Sequence, residues 1–517
     1  TIFYPIIGLA IVGNLLILLN FFLPLKSLFV YVVLAIVLIP NLLDIKRFDI
    51  KRLNLDRIFI YLIIPTILIL SSSDISFHFD AGYYHLNHQN WLRESNLVVG
   101  MVNIFWPFGI SSIYEYLSSI LWFNDSLIYL HFLSLIFIHF LLSFMYFHIF
   151  GKKNSFLKYS MILVMVFAFL DNFGVNGGRN GFIYIQGITK QDTSVAILFM
   201  IITLLIFNCI LEKKVSKADF FYLGLLTFFI YEIKISGVVI FILYFYMIYY
   251  LLNEKIYNFE EIVKTNSLII FFGLVWTIKS YITSGCLVFP VSITCINKFD
   301  WYIHESTKEI QTYTANTSFA FMEYFVNPDL GFNDWFNNFF KGENISTFSE
   351  FYSAVYLNYL LSLGSVIIFV LIFFKIRKQN FSFVKIVISF ILMNYLYLLF
   401  FGPIPRYSMG ISITSIAVLG FFIEKEKFNI NNKLKLSFFI LTILLIPRFN
   451  SYTTFINIDN LYLVDPRVEV MYEEIIIEDN WVTPSSGGRC WVNIDCTLNE
   501  DPVFVNTTNF FKVAREK

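Results

Sequence analysis

Long apolar runs alternate with shorter polar segments along the whole chain, and the runs have the length of membrane spans. A bilayer core of about 30 Å asks for about 20 apolar residues of α-helix, because a helix in lipid satisfies its backbone polar groups internally. On that scale hydropathy gives about 13 spans: 2–23, 28–43, 57–72, 126–150, 156–171, 193–211, 219–231, 236–252, 267–284, 353–375, 386–402, 408–423 and 436–448. Residues 219–252 read either as two spans or as a re-entrant hairpin. The pattern predicts an all-α polytopic membrane protein, with a transmembrane domain over 1–448 and a small tail over 449–517. No internal repeat and no Gly/Ser linker divides it further.

With Thr1 in first place an initiator Met is expected to have been removed. The run 2–23 has no basic n-region and no small-residue cleavage site, so it reads as a first span and not as a signal peptide.

Charge sets the expected orientation. The basic clusters are Lys46, Arg47, Lys51, Arg52 and Arg57; Lys152, Lys153 and Lys158; Lys213, Lys214 and Lys217; Lys375, Arg377 and Lys378; and Lys425, Lys427, Lys433 and Lys435. With the N-terminus inside, all of them fall on one face, the cytoplasm. The long polar segments 73–125, 172–192 and 285–352 and the tail 449–517 then fall on the other.

Composition agrees with a membrane protein. Hydrophobic residues make up 57% and charged residues only 14%, where soluble domains carry roughly 25% charged; the mean hydropathy is +0.68. The formal net charge is zero, and nothing in the composition suggests a nucleic-acid partner. The lipid bilayer is the expected partner. Phe (62) and Tyr (31) are so frequent that single aromatics carry little weight.

The densest polar cluster, HFDAGYYHLNHQNWLRE (78–94), follows the third span directly. Asp80 stands at the lipid–water boundary, where partial desolvation strengthens a carboxylate's interaction with a nucleophile or cation; Asp74 is a second candidate, and a solvated loop carboxylate ending a helix is the plain alternative. Residues 80–91 fit a short helix in which Asp80, Tyr84 and His88 share a face. His78, Asp80, His85 and His88 are conceivable zinc ligands, but no HExxH or CxxC accompanies them, so no metal site is assigned and a divalent cofactor is left open. Trp91 and Trp106 need no role beyond an interfacial belt.

The next outer segment, NGGRNGFIYIQGITKQDTS (176–194), is a glycine-rich loop with Arg179, Lys190 and Asp192 as its charges. Asp192 either caps the following helix or joins a site beside Asp80. Lys234, flanked by Glu232, and Lys279 lie at span ends. Arg406 lies between Pro405 and Gly410 and offers a planar fork suited to phosphate. A charge there must snorkel, pair or bind an anion. Of five cysteines, Cys209 lies in a span, Cys286 and Cys295 share an outer loop, and Cys490 and Cys496 share the tail. An oxidising compartment permits either pair to close, and the 490–496 bridge is the one expected. No P-loop, GxSxG or dinucleotide fingerprint occurs in a suitable context.

Four stretches together resemble the GT-C superfamily of membrane glycosyltransferases, and more closely a bacterial GT-C-like group. They are DAGYYHLNHQNWLRESNLVVGMVN (80–103), KSYITSGCLVFP (279–290), PRYSMG (405–410) and CWVNIDCT (490–497). The resemblance implies a transferase of the bacterial inner membrane with its active site on the outer face and a polyprenyl-phosphate-linked sugar as donor; the acceptor is unknown. It implies Asp80 as the carboxylate that acts as base or orients the acceptor, with Tyr84, His85 and His88 beside it and Lys190 and Asp192 from the next loop. It implies Lys279 and Arg406 as cations for the leaving phosphate. Two departures count. Ala81 follows Asp80, so the paired acids of mannosyltransferases are absent, and Lys279 stands where relatives carry Arg, giving a point charge in place of a fork. A glycan polymerase or ligase, a flippase-type transporter of lipid-linked glycans and a structural envelope subunit are the competing readings.

Overall fold

The computed structural model describes residues 2–43, 55–72, 80–122, 127, 129–151, 156–172, 190–296, 298, 301–302, 304–320, 381–401, 405–423, 431–446, 475–477, 481–483, 503–508 and 511–516. The described chain is mostly helix. Its apolar helices are α1 (Tyr4–Asn20), α2 (Leu28–Leu43), α3 (Leu55–Ile58), α4 (Ile64–Ser72), α7 (Leu130–Phe150), α8 (Phe156–Asn172), α9 (Asp192–Glu212), α10 (Lys217–Ile233), α11 (Ile240–Asn253), α13 (Ser267–Ser284), α15 (Phe381–Phe401), α16 (Pro405–Val418) and α17 (Asn432–Leu444). The shorter α5 (Leu86–Glu94), α6 (Ile113–Ser119), α12 (Phe259–Thr265) and α14 (His304–Ala320) lie between them. A π-helical segment, Phe59–Ile63, joins α3 to α4.

Among the described residues four helical stretches are long and apolar enough to cross a membrane: Leu130–Phe150, Asp192–Glu212, Ile235–Asn253 and Ser267–Ser284. Their boundaries sit within a few residues of the expected spans. Tyr4–Asn20, Leu28–Val37, Phe156–Phe169, Ser382–Leu398 and Met409–Phe422 are apolar but shorter. The expected span 353–375 lies outside the described residues. α9 is the central helix: Ile197, Met200, Ile201 and Leu204 are all sealed. Leu274, Ile278 and Phe271 of α13 are exposed, as apolar side chains facing lipid would be.

The two ends of the bundle differ in chemistry. At one end α1 is tied to α5: Asn20 Nδ2 donates to the Leu92 and Ser95 carbonyls at 3.3 and 3.0 Å. Gly100 N–H reaches the Ile282 carbonyl near the end of α13 at 2.9 Å. At the other end Tyr146 Oη donates to Asp56 at 2.7 Å, Lys217 pairs with Glu261 at 2.8 Å, and Lys435 lies in the field of Lys158. The described polar segments gather at the first end, but basic residues stand at both: Lys26, Arg93 and Lys279 near the first, and Lys158, Lys217 and Lys435 near the second.

Two hairpins are described in the tail, β1 (Ile475–Ile477) with β2 (Trp481–Thr483) and β3 (Val503–Thr508) with β4 (Phe511–Glu516), both antiparallel. β4 docks on the first polar segment. Val99 N–H donates to the Lys512 carbonyl, and Ala514 N–H returns to the Val99 carbonyl, each at 2.9 Å. Gly100 makes the approach possible: its φ is +66°, and a Cβ there would stand 2.7 Å from the Ala514 carbonyl oxygen, so a side chain is excluded both by conformation and by space.

Candidate functional site

Residues 80–94 form the first part of the site. Asp80 precedes a π turn, Ala81–His85, closed by the Leu86 N–H to the Ala81 carbonyl, and α5 continues from it. In an α-helix residues five apart lie about 140° from each other; the wider π turn brings Asp80 and His85 toward the same side. The plain helix expected from the spacing is thus under-wound at the point where its polar residues cluster.

Asp80 pairs with Lys190. The lysine side chain is 9% exposed and the aspartate 23%, so the pair is partly desolvated and open on the carboxylate side. Two residues on, Asp192 pairs with Lys234, which follows α10; here the aspartate is sealed at 2%. Asp192 is not a helix cap. Gln191 occupies the N-cap position of α9 without a capping side-chain bond, and the Asp192 carboxylate is used across helices. Burial decides the worth of these pairs. The Lys26–Glu94 pair is half exposed on both sides and contributes about 0–1 kcal/mol, whereas breaking a buried pair costs about 3–5 kcal/mol.

Between the two pairs lies Glu115, which sequence reasoning missed. It sits in α6, whose start is fixed by Ser112: the Tyr114 N–H donates to Ser112 Oγ at 3.1 Å while Ser112 Oγ donates to the Ile233 carbonyl at 2.6 Å. Glu115 is buried and meets His85 Nδ1, Gln89 Nε2 at 2.8 Å and Gln191 Nε2 at 3.3 Å. Lys190, Gln191 and Asp192 therefore each grip a different element. A lone carboxylate in SSIYEYLSS gave no spacing signal; its one sequence mark is being the only charge in that stretch.

The remaining candidates take several places. Lys279 is buried, with its ammonium 3.7 Å from the Trp276 ring centroid and 5.8 Å from that of Tyr116. Glu232 is its charged neighbour and accepts from Asn14 Nδ2 at 2.9 Å. His88 stacks on Phe108 with centroids 5.0 Å apart; burial, with Lys279 and His85 adding, pushes it down to about 3. Tyr84 lies against His85 at 4.0 Å. Tyr83, edge-on to Phe105 at 5.1 Å, is pushed up to about 12 by burial, then by Tyr313 and Asp80. Trp106 meets Tyr313 at 5.6 Å.

Arg406 falls in the first turn of α16, and its side chain lies outside the described residues. Its helix reaches the site: a narrow cleft is lined by Asp192, Ser236, Gly237 and Gly410 among others. Cys286 and Cys295 form a disulfide, while Cys490, Cys496, Asp74 and His78 lie outside the described residues. Among the described residues no three His, Cys, Asp or Glu side chains group to hold a metal ion.

Residues 1–413 match the model of a family described as a domain of unknown function, DUF8201. The chain belongs to that family. Within this DUF8201 chain the matched region holds Asp80, Glu115, Lys190, Asp192, Lys234, Lys279 and Arg406, and it stops before the tail. No curated protein and no solved structure matches it.

Proposed function

We propose that this chain is a GT-C-type glycosyltransferase of the bacterial inner membrane, crossing the bilayer through about 13 spans. It moves a sugar from a polyprenyl-phosphate donor to a glycan, lipid or protein acceptor on the extracytoplasmic face. The observation that carries this reading is the convergence of Asp80–Lys190, Asp192–Lys234 and Glu115 with Lys279 at the end of the bundle where the polar segments gather.

A lipid-linked donor keeps its tail in the bilayer, so its phosphate–sugar bond sits at the interface. Lipid phosphate is already a good leaving group, and the protein has only to position the acceptor and complement the departing charge. Lys279 suits the second task. Its ammonium makes no hydrogen bond among the described residues and rests on the Trp276 face, so its three donors are available to phosphate oxygens. Asp80, partly open and paired with Lys190, orients the acceptor hydroxyl. The rings of Tyr83, Tyr84, Phe105 and Trp106 beside it offer apolar faces with polar tips, suited to a pyranose ring.

A photoactivatable polyprenyl phosphate in proteoliposomes tests the reading. Crosslinks are expected in peptides covering 80–94 and 276–284, displaced by excess polyprenyl phosphate and not by phosphatidylglycerol. Crosslinks spread over the lipid-facing helices, or displaced equally by both lipids, would contradict it.

A further inference from the structure

Glu115 leaves one atom of its neighbourhood unused. Its carboxylate gathers Gln89, Gln191 and His85. Trp122 Nε1 donates to Gln89 Oε1 at 2.9 Å, which turns the Gln89 amide so that its NH2 faces Glu115. Both glutamine NH2 groups donate to Glu115, which sets it as the acceptor of the cluster and the His85 nitrogen facing it, Nδ1, as a donor. The other nitrogen, Nε2, makes no hydrogen bond among the described residues. One nitrogen is thus fixed by Glu115 and the other makes no such bond, and the π turn brings it toward the side that carries Asp80.

From this geometry we infer that Glu115 and His85 form a dyad that presents a bare imidazole Nε2 as the proton acceptor for an acceptor hydroxyl. Glu115 is the positioning residue: it selects the tautomer, holds the ring and stabilises the imidazolium once formed. The inference rests on the glycosyl-transfer reading for the identity of the step. In that step the acceptor O–H bond breaks and its proton passes to Nε2. The oxygen pair bonds to the anomeric carbon, and the carbon–oxygen bond to the lipid phosphate breaks with its electron pair going to phosphate. The imidazolium then returns its proton to water or to the released phosphate. Asp80, engaged by Lys190, directs the hydroxyl and does not take the proton.

Two measurements on the full chain in lipid nanodiscs decide this. The first is ring nitrogen-15 NMR of histidine-labelled protein near neutral pH, with His85 assigned by its loss in His85→Gln. The expected spectrum has a protonated Nδ1 and a bare Nε2; a protonated Nε2, whether in the other tautomer or in the imidazolium, would overturn the dyad. The second is turnover of polyprenyl-linked sugars extracted from the source cells. His85→Gln should lower kcat by about 10²–10⁴-fold with KM for the lipid donor unchanged. A wild-type kcat, or a loss confined to KM and thermal stability as a structural role would give, would overturn the assignment. Absence of turnover by the wild type would count against glycosyl transfer, and the nitrogen spectrum alone would then decide the dyad.

Discussion

At the scale of single residues, burial separates two aspartates that look alike in the sequence. Asp192 is sealed against Lys234, and Asp80 keeps an open side against Lys190. Asp192→Asn leaves a lysine charge facing a neutral amide. It should cost about 2–3 kcal/mol, below the figure of about 3–5 for a fully buried pair, because Lys234 is partly hydrated. Asp80→Asn should cost less, about 1–2 kcal/mol, because its carboxylate is partly hydrated although Lys190 is left buried without its counter-charge. Thermal unfolding of the two variants in one detergent checks this, and equal losses would contradict the burial argument. His88 adds a pH dependence. Its folded value is about 3 against about 6.5 unfolded. Below about pH 6.5 the unfolded chain binds a proton that the folded chain refuses, so stability falls as pH drops from there toward 3, by up to about 1.4 kcal/mol per unit. His88→Gln should flatten that limb between about pH 7 and about pH 5 in the same unfolding assay; an unchanged slope would remove His88 as its cause. The sequence marked Asp80, His85 and Lys190 as polar islands in an apolar chain. It could not mark their partners, since Lys190 is 110 positions from Asp80 and no spacing rule spans that distance. Glu115 escaped notice for the same reason.

At the scale of elements, helix positions were legible because burial in lipid demands unbroken apolar length. Expected and observed boundaries of α7, α9 and α13 differ by a few residues at most. What the pattern lacked was local winding, since a π turn has no composition of its own. Residues 219–252 form two helices joined at 234–239, and the junction places Lys234 on Asp192. Close packing of α9 on α16 closes the cleft: a Cβ on Gly410 would lie 3.0 Å from Ala196 Cα. Gly410→Val should cost about 1–3 kcal/mol by overpacking and lower the unfolding temperature more than Gly8→Val, since a Cβ at Gly8 meets nothing within 4 Å. Equal losses would show that the two helices have room to part. The Cys286–Cys295 bridge closes a nine-residue separation just past α13. Non-reducing peptide mapping should find these two linked, and alkylation of both in protein purified without reductant would contradict it.

At the scale of the whole molecule, the charge pattern predicts the basic loops on one face and the long polar segments on the other. The sequence carries that separation because each span reverses the chain and so assigns every loop to one end. It carries no measure of which loops touch, so the docking of β4 on Val99 was invisible. If the face of the basic loops is cytoplasmic, a membrane-impermeant thiol reagent on intact cells should label Asn460→Cys and spare Ile50→Cys; the reverse would invert the molecule. The central claim is that the polar end transfers a sugar from a lipid phosphate. Its most direct measurement is the release of polyprenyl phosphate from source-cell polyprenyl-linked sugars by purified protein in proteoliposomes. The wild type should release it, and Asp80→Asn should release it at least about a hundredfold more slowly, as expected when a reacting group is misplaced, while remaining folded at the assay temperature. No release by the wild type, or equal release by Asp80→Asn, would contradict the account.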